Sequence, residues 1–129
     1  MKALIAGLSR NSFVHVGVAF LAMGGWAFFA NSAHPMPAPM LAGVVQGGLS
    51  ATITLLLKRI VEALAARFRG NAALLAPPAI ACTISASLLT LIHWLAGTPE
   101  LLATIAVPLT VATSYAAIYN YALWKSGRG

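Results

Sequence analysis

Acidic residues are almost missing from this chain. It has two Asp/Glu against eight Lys/Arg, and charged residues of both signs fill only 8% of its 129 positions. An ordinary soluble domain carries about 25% charged residues. So few charges cannot cover the outside of a water-soluble fold, which excludes a soluble globular enzyme. A disordered chain is excluded too, because 60% of the residues are hydrophobic. There is one cysteine, Cys82, so an intrachain disulfide is impossible. It lies in an apolar run and reads as a small packing residue. The length fits one domain.

What the chain does have is four apolar runs, each near the roughly 20 residues that cross a bilayer core at 1.5 Å per residue. They cover about 12–30, 38–57, 72–95 and 101–124. The reading is an all-α integral membrane protein with a single four-helix transmembrane domain, residues 1–129. Lys2 and Arg10 ahead of an apolar stretch, with Ala30-Asn31-Ser32 behind it, imitate a secretory signal. Three more apolar runs follow, so the first is read as a retained helix. Pro35, Pro37 and Pro39 break the chain after the first run, and Gly97-Thr98-Pro99 breaks it after the third. Ile60, Leu64 and Phe68 recur every four residues, and Glu62 is placed to pair with Lys58 or Arg59. The second helix is therefore expected to run on as a cytoplasmic extension to Arg69, ending at Gly70-Asn71.

Charge placement fixes the expected topology. Lys2 and Arg10 precede the first run. Lys58, Arg59, Arg67 and Arg69 separate the second from the third, and Lys125 and Arg128 follow the fourth. The other two loops carry no Lys or Arg, and one holds Glu100. The positive-inside rule then predicts two hairpins with both termini cytoplasmic, in a multi-pass protein of the inner membrane. Isolated bases between apolar runs do not make a nucleic-acid surface. They suit anionic lipid heads. Each half has a Trp near its outer end (Trp26, Trp94), then a Pro-containing loop and a helix closing on a Lys (Lys58, Lys125). That plan is compatible with a parallel duplication.

No Asp, Glu, Lys or Arg lies deep in an apolar run, which speaks against an ion-coupled transporter such as a small multidrug exporter. Glu100 suits a helix N-terminus. His15 and His93 fall near opposite faces and His34 in an outer loop, so no metal or haem site is expected and no cofactor. Thr83, Ser85, Ser87 and Thr90 have no charged companion, so no catalytic residue is assigned and an enzyme is not expected. Gly43 and Gly47 form a small-residue pair extended by Ala51, and Ala112 and Ala116 form another. These are helix-packing faces, either within the bundle or toward a membrane-protein partner or a second copy. Gln46 falls mid-membrane and needs a polar partner. Gln46, Ser50, Thr52 and Asn120 are alternatively a polar cavity. Tyr115, Tyr119, Tyr121 and Trp124 make the end of the fourth run aromatic, and an interfacial belt accounts for Tyr119 to Trp124.

The run Tyr119-Asn120-Tyr121-Ala122-Leu123-Trp124-Lys125 is similar to the closing segment of the GtrA-like family of small four-helix membrane proteins. Ser12-Phe13-Val14-His15-Val16-Gly17 resembles that family's opening. The stretch from Thr52 to Arg59 lacks the family's Asn-aromatic pair. The resemblance implies movement of polyprenyl-phosphate-linked sugars across the inner membrane. On that expectation Lys58, Arg59, Arg67, Arg69 and Lys125 hold a lipid phosphate, and a groove with Gln46 and Asn120 lets the rest slide. The competing expectation is a non-catalytic assembly subunit that binds a larger membrane protein through Gly43/Gly47 or Ala112/Ala116.

Overall fold

The structure is a computed structural model that describes the backbone of residues 2–128 and the side chains of 13–127. Lys2, Arg10, Ser12 and Arg128 therefore lie outside the described side chains. Four helices make up the chain: α1 (Lys2–Ala30), α2 (Ala38–Ala65), α3 (Asn71–Ala96) and α4 (Leu101–Leu123). Among the described residues there is no strand. Each helix is long and apolar enough to cross a membrane, which makes the chain a multi-pass membrane protein. The loops at residues 31–37 and 97–100 form what is called here the loop end. The turn at 66–70 and the close of α4 form the basic end.

Two boundaries differ from the sequence expectation. α1 starts at Lys2 rather than near residue 12, because a helix need not stop where its apolar stretch does. α2 stops at Ala65 instead of running to Arg69. The Ala66 and Arg67 amides bond back to Glu62 and Leu64, and Gly70 turns the chain into α3 at φ 62°. Only a residue without a Cβ takes that conformation readily.

Glycine sets how close α1 and α2 come. A Cβ on Gly24 would stand 2.8 Å from the Gly43 carbonyl oxygen, and one on Gly47 would stand 3.0 Å from the Phe20 ring. The Gly43/Gly47 face thus meets α1 of its own chain, where close backbone approach replaces the missing hydrophobic drive between helices in lipid. Leu57 and Val61 of α2, Ala81 of α3, and Ala112 and Ala116 of α4 form one buried apolar cluster. The small α4 residues let three helices converge there, and none of the described α1 side chains belongs to it.

α3 carries Pro77 and Pro78 in its interior. Proline has no N–H, so the carbonyls four residues earlier, on Ala73 and Leu74, lose their helical donors. In an apolar surrounding each needs another partner. Asn120 of α4 supplies it: its Nδ2 donates to both carbonyl oxygens at 2.9 Å. Trp124 Nε1 adds a 3.0 Å bond to the Gly70 carbonyl. The close of α4 is thereby tied to the start of α3.

Candidate functional site

Polar side chains gather at the loop end because the short loops bring all four helices together there. Trp26 Nε1 donates to the Ala103 carbonyl at 2.9 Å. Asn31, fully buried, donates through Nδ2 to Thr104 Oγ1 at 2.7 Å and accepts the Glu100 amide at 2.9 Å. His34 Nε2 meets Glu100 Oε2 at 2.7 Å. A second chain of bonds runs inward. Thr98 Oγ1 meets His93 Nδ1 at 2.7 Å, His93 Nε2 meets Gln46 Oε1 at 2.8 Å, and Gln46 Nε2 donates to Ser50 Oγ at 2.7 Å. An amide oxygen only accepts, so His93 donates from Nε2 and accepts the Thr98 hydroxyl at Nδ1. His93 and Gln46 are both fully buried. Each answers the cost of leaving the other unpaired in an apolar interior.

Below Ser50, toward the basic end, residues of α1, α2 and α4 line a common gap. The gap is a cleft of about 440 Å³ lined by His15 on α1, by Ser50, Thr54 and Leu57 on α2, and by Pro108 and Tyr115 on α4. The rest of its wall is apolar, with residues such as Ala22 and Val111. Its size falls within the range of about 300–1,000 Å³ usual for small-ligand pockets. From Ser50 to Leu57 it follows α2 for about 10 Å at 1.5 Å per residue.

The rim of the cleft at the basic end is polar and charged. Lys58 follows Leu57 and lies one turn beyond Thr54, on the same helical face. It faces Glu62 at 3.9 Å, and the Tyr119 hydroxyl donates to that carboxylate. Tyr119 stacks on Tyr115 with ring centroids 5.8 Å apart. Arg59, next to Lys58, is exposed.

The predicted lipid-binding set divides into separate places. Lys58 and Arg59 are exposed and directly follow the lining residue Leu57. Arg67 and Arg69 sit exposed in the turn at 66–70, beyond the end of α2. Lys125 joins them, because its neighbour Trp124 is bonded to Gly70. Gln46 and Asn120 do not share a groove. Gln46 is held by His93 and Ser50 near the loop end, and Asn120 by α3 carbonyls at the basic end. Thr52 turns outward and donates to the Gly48 carbonyl, so the cavity of Gln46, Ser50, Thr52 and Asn120 is not formed. His15 of α1 and Tyr115 of α4 both line the cleft. Thr54 had gone unremarked, although Ser50, Thr54 and Lys58 repeat every four residues on α2. Among the described residues no three His, Cys, Asp or Glu side chains come together to hold a metal.

No family model matches the chain, and neither a curated protein nor a solved structure matches it.

Proposed function

We propose that this protein binds an anionic lipid and positions it or passes it across the membrane, without catalysing a reaction. The observation that carries this reading is the cleft between α1, α2 and α4, whose lining ends on α2 at Leu57, directly before the exposed Lys58 and Arg59. A lipid chain is matched by the apolar wall, and its phosphate by the two cations. In this reading the helices form two hairpins with both termini in the cytoplasm, so the rim faces the cytoplasmic leaflet of the inner membrane. Arg67, Arg69 and Lys125 then form an outer belt that draws anionic heads toward the rim. The resemblance to the GtrA-like family adds polyprenyl phosphate or a lipid-linked sugar as the class of cargo. The assembly-subunit alternative needs Gly43/Gly47 or Ala112/Ala116 for a partner, and both faces are covered by helices of the same chain.

Native mass spectrometry of the full chain released from nanodiscs tests the proposal. A phosphate-bearing lipid is expected to stay on the wild-type protein and to be lost from the Lys58→Ala/Arg59→Ala variant. A stoichiometric protein partner with no specific lipid would overturn the reading in favour of the assembly subunit.

A further inference from the structure

The hydrogen-bonding groups in the cleft wall come from three helices and converge on one space. Thr52, Thr83 and Thr110 each donate to the carbonyl four residues back, the usual way a hydroxyl is satisfied in a membrane helix. Ser50 and Thr54 make no such bond, and neither the His15 ring nor the Tyr115 hydroxyl has a hydrogen-bond partner among the described residues. Four polar groups from three helices therefore face one cleft with unused bonding capacity. Ser50 already accepts from Gln46 Nε2, and Gln46 is fixed in that orientation by buried His93. What Ser50 offers the cleft is its proton. Thr54, Tyr115 and a ring N–H of His15 can donate as well. The cleft thus presents donors along its length and cations at its rim.

We infer that the cleft takes an ester-linked glycerophospholipid, its phosphate against Lys58 and Arg59 and its ester oxygens accepting hydrogen bonds from Thr54, Ser50, His15 and Tyr115. This rests on the anionic-lipid reading above and replaces the polyprenyl cargo suggested there by resemblance. Ester carbonyls only accept, which complements a wall of donors, and they lie just inside the phosphate as Thr54 lies one turn inside Lys58. A polyprenyl chain has no oxygen beyond its phosphate and leaves all four groups unpaired in apolar surroundings, which is unfavourable. Glu62 lies one turn beyond Lys58, and the Tyr119 hydroxyl donates to its carboxylate; Lys58 stands 3.9 Å from it, beyond hydrogen-bond distance, so its ammonium donors and Arg59 are the groups that meet a phosphate.

The test compares phosphatidylglycerol with its ether-linked analogue of equal chain length, competing for the full chain in nanodiscs and read by native mass spectrometry. The wild type is expected to retain the ester lipid over the ether by about fivefold for each hydrogen bond lost. Thr54→Val, at an exposed position with no bond inside the protein, should lower that preference, and Ser50→Ala/Thr54→Val should lower it further, leaving only the part carried by His15 and Tyr115. Equal retention of both lipids by the wild type, lost in Lys58→Ala/Arg59→Ala, would overturn the ester inference and leave the anionic-lipid reading standing. Retention of neither lipid, with no effect of the charge variant, would overturn both. Polyprenyl phosphate displacing the ester lipid equally from wild type and Ser50→Ala/Thr54→Val would also overturn the ester inference.

Discussion

At the loop end α1 is sewn to its neighbours: Trp26 bonds α4, and Asn31, just past the helix, bonds both Thr104 and the Glu100 amide. Toward the basic end no described side chain of α1 hydrogen-bonds to another helix, and α1 is absent from the apolar cluster of Leu57, Val61, Ala81, Ala112 and Ala116. The cleft opens along that half. Lipid tails are as apolar as leucine, so helices in a bilayer stay together through close backbone contact and hydrogen bonds. Where α1 has both it is held. Along the cleft its described side chains make no hydrogen bond to another helix, and a space remains there.

The largest expected effect comes from breaking the crossing that hinges these two halves. Gly24→Leu would push a side chain into the Gly43 backbone and should cost about 3 kcal/mol or prevent folding. Gly25→Ala, where an added Cβ meets nothing within 4 Å, should leave thermal unfolding in detergent nearly unchanged. If both variants melt alike, the close approach is not what holds α1. Next is His93→Phe, which strands the Gln46 amide oxygen in a fully buried place and should cost about 2–3 kcal/mol by the same measurement.

Asn120→Ala tests the basic end and should cost about 1–3 kcal/mol, because two orphaned carbonyls lose their donor. The loss should shrink in a Pro77→Ala/Pro78→Ala background, where Ala73 and Leu74 regain backbone donors. An undiminished loss in that double-mutant cycle would show that Asn120 acts in some other way. Trp26→Phe removes a single bond at a partly exposed position and should cost about 1 kcal/mol. Hydrogen exchange at the start of α4 should quicken with it. The smallest effect on stability, within about 0.5 kcal/mol, is expected for Lys58→Ala/Arg59→Ala. Loss of lipid from that variant alongside an unchanged melting curve separates binding from folding.

Much of the fold is readable from residue order. Three prolines between Pro35 and Pro39 end one span, Gly97 ends another in a left-handed turn at φ 73°, and the Gly43/Gly47 pair marks a close helix contact. The end of α2 is less readable. Ile60, Leu64 and Phe68 keep their helical spacing past the point where the chain turns, and spacing cannot register the turn into α3 that stops the helix at Ala65. The site was half readable. Lys58 and Arg59 were picked out by charge alone. Gln46 and Asn120 were recognised as polar groups in need of partners, yet their partners are His93, Ser50 and two carbonyls freed by proline, distant in sequence by 47 and 46 positions in the case of Asn120. Ser50 and Thr54 carry the periodicity of a face without revealing what that face meets.

By itself the sequence determined that the chain lives in a bilayer, how many times it crosses, and that its bases gather at one end. Hydropathy and charge act residue by residue and need no knowledge of neighbours. The tertiary structure alone decided which polar groups satisfy one another and which are left facing an open cleft. A hydrogen bond depends on two groups meeting within about 3 Å, and only the packing of four helices sets which groups meet.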